Sequence, residues 1–245
     1  MKVKRLMASL LCGAIGAATL GLSGCGSAAD SGMMDAANAN AVAGGSSDLP
    51  VVTWKMGSTW GDGNIHFTCD ERFSELVSQL TFESEEWKLL DAGLLSRYEA
   101  NQRMLTHAKE HDCVFEVQGV LDDWMHILRP RRKMQELVQK LKAHGYCVYY
   151  LSNIPEDVLD LLMHRDFEGL FDGGVASCEV KINKPDPRIY QALLDKYHLR
   201  ADECIFIDDR ADNLVAASAL GFGIYEMHNV GTLLRSLPTF GVSLH

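Results

Sequence analysis

An α/β fold, a doubly wound parallel sheet with a small helical lid, is what this sequence predicts, and three observations carry the prediction. From residue 129 onward, short apolar runs alternate with helix-length amphipathic stripes, the pattern of strands joined by crossover helices. Residues 82–128 hold helical stripes and no strand-like run, as a lid would. The apolar run 204–207 ends in Asp208 and Asp209, and the mouth of a parallel sheet is where open α/β folds place their ligands.

The first 25 residues read as a leader. Lys2, Lys4 and Arg5 form a positive region, residues 6–22 are apolar and rich in Gly and Ala, and the run Leu-Ser-Gly-Cys closes at Cys25. That run resembles the lipobox of bacterial lipoproteins, which implies lipidation of Cys25 and removal of the residues before it. On this reading the leader stands outside the fold, and the membrane is met only through a lipid anchor. Residues 26–49, rich in Ala, Gly, Ser and Asn, read as a low-complexity tether.

Residues 50–57 alternate as a first strand, residues 58–64 are turn-like around Asp62, and Phe73, Leu76, Val77 and Leu80 make a helical stripe. Thr53, Trp54, Lys55, Met56 and Gly57, then His66, then the run Glu-Arg-Phe-Ser-Glu-Leu-Val at 71–77 resemble the start of the solute-binding proteins of tripartite ATP-independent transporters. The likeness covers residues 1–81, and the second lobe of such a protein is absent. Segment 50–81 is therefore expected to be a solute-binding-protein-like piece fused to the lid and core.

The lid, 82–128, starts with an acidic helix carrying Trp87 and Leu90, broken at Gly93. Ser96 with Glu99 has the form of a capping box and opens a second helix through Met104 and Ala108. A third helix runs to Ile127, before Pro130. The core, 129–245, then alternates regularly. Its helices carry Leu137, Val138 and Leu141; Val158, Leu161 and Leu162; and Ile189, Leu193 and Leu194. Its strands are expected at 146–151, 173–176, 204–207 and 223–225.

Composition bounds the function. A net charge of −10 argues against non-specific nucleic-acid binding, which needs clustered positive charge. Without Cys12 and Cys25, five cysteines remain at irregular spacing, the usage of a reduced, cytoplasmic protein rather than a disulfide-stapled exported one. The leader predicts export and the core reads as cytoplasmic, so the two halves point to different compartments.

Chemistry gathers at three strand ends: Ser152 and Asn153 after Leu151, Lys184 in a loop fixed by Pro185 and Pro187, and the Asp208–Asp209 pair. A hydroxyl, an ammonium and paired carboxylates along one sheet edge suit phosphoryl transfer. Adjacent carboxylates raise each other's pKa unless a cation joins them, and a hard cation such as Mg²⁺ shared with a phosphate fits.

Leu151, Ser152 and Asn153, the run Lys-Pro-Asp-Pro-Arg-Ile-Tyr at 184–190, and the run Phe-Ile-Asp-Asp-Arg-Ala-Asp-Asn at 206–213 resemble the second, third and fourth motifs of the haloacid dehalogenase superfamily. The likeness covers residues 82–230 and is strongest to the family's small-molecule phosphatases with a helical cap. It implies a Rossmann-like parallel sheet and Mg²⁺-dependent hydrolysis of a small phosphorylated metabolite through an aspartyl-phosphate. It further implies that Ser152, Asn153 and Lys184 hold the phosphate, that Asp208 and Asp209 hold the metal, and that Asn213 braces their loop. The family's first motif, which brings the nucleophilic aspartate, has no clear counterpart here. Laid on residues 51–57 it falls on Lys55, and laid on 60–65 it falls on Gly61, leaving Asp62 one place away as the candidate. A Lys or Gly cannot form an acyl phosphate. A truncated solute-binding lipoprotein and an inactive fusion or pseudoenzyme stand as alternatives.

Overall fold

In a computed structural model, residues 5–8, 53–54, 67–68, 71–128 and 131–244 are described. The chain divides into two compact units, one of residues 1–16 and 75–245, the other of residues 17–74. In the second unit, β2 (Thr53–Trp54) and β3 (Phe67–Thr68) pair antiparallel. The helix α1 (Glu71–Leu80) crosses from that unit into the first.

The first unit is built on a five-stranded sheet whose pairs are all parallel. Its strands are β1 (Arg5–Ala8), β4 (Cys147–Ser152), β5 (Gly173–Ala176), β6 (Cys204–Asp208) and β7 (Gly223–Glu226), in the order β5-β4-β1-β6-β7. The last four fall where the apolar runs predict them. The central one does not. Of the expected first strand at 50–57, the described residues Thr53 and Trp54 form β2, in another sheet, and the centre is filled from the segment assigned to the leader. Ala8 stands opposite Tyr150 on β4 and Ile207 on β6. A strand between two parallel neighbours needs only length and apolar character, and a leader's apolar region has both.

Helices cover both faces, as a doubly wound sheet requires. On one face α5 (Arg132–Ala143) and α10 (Val230–Ser236) bury Leu137, Val138, Leu141 and Leu233 against Val148, Ile205 and Ile207. On the other, α8 (Pro187–Lys196) and α9 (Ala211–Ala219) bury Ile189, Tyr190, Leu193 and Leu214 against Tyr149, Leu151, Cys204 and Phe206. Consecutive residues of β6 thus serve opposite cores, the period-two pattern of a strand buried on both sides. The helix α6 (Glu156–Arg165) follows β4, and a single turn, α7 (Ser177–Val180), follows β5. At Gly174 on β5 an added Cβ would run into the Tyr150 ring, so a larger residue there would force that ring to shift.

The lid consists of α2 (Glu85–Asp91), α3 (Arg97–Glu110) and α4 (Val114–Ile127). The Ser84 hydroxyl caps α2 by accepting from Trp87 N, and Ser96 with Glu99 forms the expected capping box on α3. Trp87 and Trp124 meet edge to face at 4.8 Å, and the Arg97 guanidinium lies 4.8 Å from the Trp124 ring centre. No described helix is long and apolar enough to cross a membrane.

Candidate active site

The strand order places the candidate residues together. The chain runs from β1 to β4 and β5 on one side, then returns across β1 to β6 and β7, so the order reverses at β1. That reversal opens a crevice beyond the carboxyl ends of the strands. Ser152 ends β4 and Asp208 ends β6, one on each neighbour of β1.

Lys184 reaches into this crevice from the loop before α8. Its Nζ donates to Asp208 Oδ2 at 2.6 Å, and both side chains are shut off from solvent, at 3% and 1% exposure. An unpaired charge buried this deeply costs several kcal/mol, on the order of 3–5 when one partner is removed. The position of Lys184 is set by Asn153, whose Oδ1 accepts from Lys184 N at 2.7 Å and whose Nδ2 donates to Lys184 O at 3.0 Å. The Lys184–Pro185 bond is cis. Asp186 caps α8 through Arg188 N, and Tyr190 donates from its hydroxyl to Asn213 O across the buried face.

The other oxygen of Asp208 is also occupied. Oδ1 accepts from Arg210 N at 2.9 Å and from Asn213 Nδ2 at 3.0 Å. Asp208 is therefore the hub that ties the loop after β6 to Lys184, and Asn213 braces that loop as the motif implies. Asp209, the next residue, is exposed at the mouth. Ser152 is fully buried, and among the described residues its hydroxyl makes only a 3.5 Å contact with Asn153 O, the outer limit of a hydrogen bond. A buried hydroxyl held so loosely has capacity left for an anion.

Four of the expected residues therefore meet at one edge: Ser152, Asn153, Lys184 and Asp208, with Asp209 beside them. Two of them carry further bonds: the Asn153 amide is engaged with the Lys184 backbone, and Asp208 Oδ2 accepts from the Lys184 ammonium. Among the described residues, no group of three or more His, Cys, Asp or Glu is arranged to hold a metal. Mg²⁺ does not need one, since it keeps several waters and uses one or two carboxylates with the substrate's phosphate. An exposed carboxylate, Asp209, next to the buried Lys184–Asp208 pair fits that donor set.

Asp62 and Cys25 lie outside the described residues. The strand that runs between Ser152 and Asp208 is β1, and the sequence after Ala8 continues Ser9, Leu10, Leu11, Cys12, with no Asp or Glu before Asp30.

Sequence reasoning missed Asp91, at the end of α2. Burial pushes its carboxyl up to about 7, with the charges of Arg97 and Lys184 pulling the other way. The residue keeps some solvent exposure, yet protein surrounds the carboxyl enough for desolvation to dominate. The only signal for it in the sequence is its place just before the helix-breaking Gly93.

Comparison with known proteins agrees with this geometry. A family model described as haloacid dehalogenase-like hydrolase matches residues 31–221, and the chain belongs to that family. The match begins upstream of residue 82, so most of the segment likened to a solute-binding protein falls inside it. A sesquiterpene phosphatase of Aspergillus oryzae is 36% identical over 110 residues, covering 44% of this chain and 56% of that one. A (S)-2-haloacid dehalogenase of a Pseudomonas species is 28% identical over 153 residues, covering 62% of this chain and 60% of the other. The chain thus spans less than two thirds of the length of these relatives. A haloacid dehalogenase family enzyme of Bacteroides thetaiotaomicron superposes with a TM-score of 0.51 at 22% identity, over 66% of this chain and 82% of that one. The same enzyme in complex with magnesium and inorganic phosphate gives 0.50 at 23% identity, over 67% and 91%. At these identities the solved structures show the fold.

Proposed function

We propose that this hydrolase acts on a small phosphate ester with Mg²⁺, at the edge formed by Ser152, Lys184 and Asp209. The observation that carries the reading is the buried Lys184–Asp208 pair beside the loosely held Ser152 hydroxyl. Lys184 would neutralise the phosphate, and Ser152 would donate to one of its oxygens. Asp209 would hold Mg²⁺, which when bound supplies charge stabilisation at the phosphate oxygens. Asp208 and Asn153 would fix Lys184 so that its charge needs no reorganisation. Asp62 remains the candidate nucleophile. The relatives, a phosphatase and a dehalogenase, share hydrolysis but not a substrate, so the choice of phosphate over halide rests on the site.

The experiment is phosphate release from an aryl phosphate, with and without Mg²⁺, in the wild type and in Lys184→Met and Asp62→Asn. Release that needs Mg²⁺ and falls about 10²–10³-fold in Lys184→Met is expected, in line with the loss of one preorganised charge stabiliser. Equal rates in wild type and Lys184→Met would overturn the assignment.

A second reading is favoured by one observation, the lack of any acidic residue between β1 and Asp30. Without a carboxylate there, the site binds a phosphate ester and Mg²⁺ but forms no aspartyl-phosphate. Saturable phosphate binding with no release from any ester would select it.

A further inference from the structure

A cavity lies away from the strand ends, on the return from β4 to β5. Because these strands are parallel, α6 and residues 166–172 carry the chain back to the amino edge of the sheet. The cavity opens along that return and has a volume of about 410 Å³, the size of a small-molecule site. None of Ser152, Lys184, Asp208 and Asp209 lines it.

Its walls are largely aromatic. Tyr150 comes from β4, Met163 from the end of α6, and Phe167 and Phe171 from the segment that follows. A turn closed by Leu170 N donating to Phe167 O at 3.0 Å, with Gly169 at φ +67°, sets the two Phe rings 5.6 Å apart at 68°. Phe171 meets Tyr150 at 5.8 Å and 75°. Rings set edge to face form a corner rather than a stack, and a corner leaves ring faces uncovered. Such faces carry the negative part of the ring quadrupole and attract cations.

Tyr150 is only 8% exposed, yet among the described residues its hydroxyl makes no hydrogen bond. Buried tyrosine hydroxyls nearly always find a partner, so this one is left for a ligand.

The charges around the cavity favour the same kind of ligand. Arg165 is paired with Asp166 at 2.6 Å, Lys142 with Asp172 at 3.1 Å, and Lys196 with Glu179 at 4.0 Å. Glu168, the one carboxylate in the lining, is exposed and enters no ion pair among the described residues. His164 shares the lining and is exposed too, so the lining is net negative whenever that imidazole is neutral.

We propose that this cavity binds a small organic ammonium ion that also carries a hydroxyl, of the choline kind. The methylated nitrogen packs against the Tyr150, Phe167 and Phe171 rings, Glu168 supplies the counter-charge, and the ligand's hydroxyl pairs with that of Tyr150. The site is independent of the phosphate chemistry proposed for the strand ends.

Choline is the probe, and neohexyl alcohol, the same shape with carbon in place of nitrogen, is its uncharged control. Both are titrated against the full chain by ligand-observed NMR at fixed ionic strength and pH 8, above the range in which imidazoles titrate. Choline is expected to bind saturably and about tenfold more tightly than the alcohol, the scale of a desolvated cation–π contact. Glu168→Gln, a change at an exposed position, is expected to weaken choline about threefold and leave the alcohol unchanged. Phe167→Leu keeps an apolar wall but removes a ring, and is expected to weaken choline more than the alcohol. Equal affinities for the two probes, no saturable choline binding, or choline binding unmoved by both substitutions overturns the site. Displacement of choline by saturating inorganic phosphate overturns it as well, because it places the cation at the strand ends.

Discussion

Lys184 Nζ lies 2.6 Å from Asp208 Oδ2, and this buried pair is the joint between the loop after β6 and the loop before α8. Removing Lys184 leaves Asp208 with Arg210 N and Asn213 Nδ2 but no counter-charge. Lys184→Met is therefore expected to cost about 3–5 kcal/mol in urea unfolding. The double variant Lys184→Met, Asp208→Leu should recover much of that loss, because it removes both charges. Recovery of stability without recovery of phosphate binding would separate the pair's structural role from its chemical one.

Asp91 makes stability depend on pH in a direction opposite to that of a salt-bridged aspartate. Its ordinary value is 3.8 and burial lifts it to about 7. Between these values the unfolded chain has released the proton and the folded chain still holds it. The folded state thus binds more protons, and this group's contribution falls as pH rises from about 4 to about 7 and stays lost above that. Asp91→Asn should leave the melting midpoint unchanged at pH 4 and raise it at pH 8. A chain of this size gains about 2–4 °C per kcal/mol. Equal shifts at both pH values would place the effect elsewhere.

The core was legible in the sequence because its signals are local. The apolar runs of β4 to β7, the stripe Leu137, Val138, Leu141, and the Ser96–Glu99 box each specify structure within a few residues. One stripe position differs where neighbours compete: on α6 Val158 and Leu162 are buried as expected, but Leu159 is buried in place of Leu161. The meeting of Ser152, Lys184 and Asp208 was legible because each ends a strand or precedes a helix on one sheet edge. Two features were not. Asp91 acquires its environment only when α2 docks on Ser177 and Asn183, which are 86 and more residues away. The central strand was misplaced because a leader's apolar region and a buried strand share the same composition, and pairing between distant strands leaves no local mark.

Arg97 joins lid to core, and magnitudes separate its two contributions. The bridge to Asp157 is partly exposed, 23% and 42% at the two side chains, so it contributes under about 1 kcal/mol. The stack on Trp124 and Trp87 adds about 0.5–2 kcal/mol. Asp157→Asn should therefore destabilise less than Arg97→Ala when the two are compared by urea midpoint. The reverse order would mean that the bridge to the core outweighs the stack within the lid.

A leader ending at Cys25, as proposed from the sequence, and the sheet would make exclusive demands on the same residues. Cleavage before Cys25 removes β1, and with it the shared neighbour of β4 and β6. A chain starting at residue 26 leaves those two strands with unpaired inner edges, a loss expected to exceed about 4 kcal/mol. Circular dichroism melts of residues 26–245 against the full chain would show it as a lost or strongly lowered transition. Mass spectrometry of the chain made in a bacterium with lipoprotein processing tells which demand prevails: an intact N-terminus keeps the strand, and a lipid on Cys25 gives it up.

The central claim, that the sheet edge at Ser152, Lys184, Asp208 and Asp209 is a phosphate site with a place for Mg²⁺, is tested most directly by calorimetric titration with inorganic phosphate. Wild type should bind saturably and more tightly with Mg²⁺ present. Lys184→Met should lose binding, and Asp209→Asn should keep it while losing the Mg²⁺ enhancement. Phosphate binding that is unchanged in Lys184→Met, or no binding by wild type with Mg²⁺, would contradict the account.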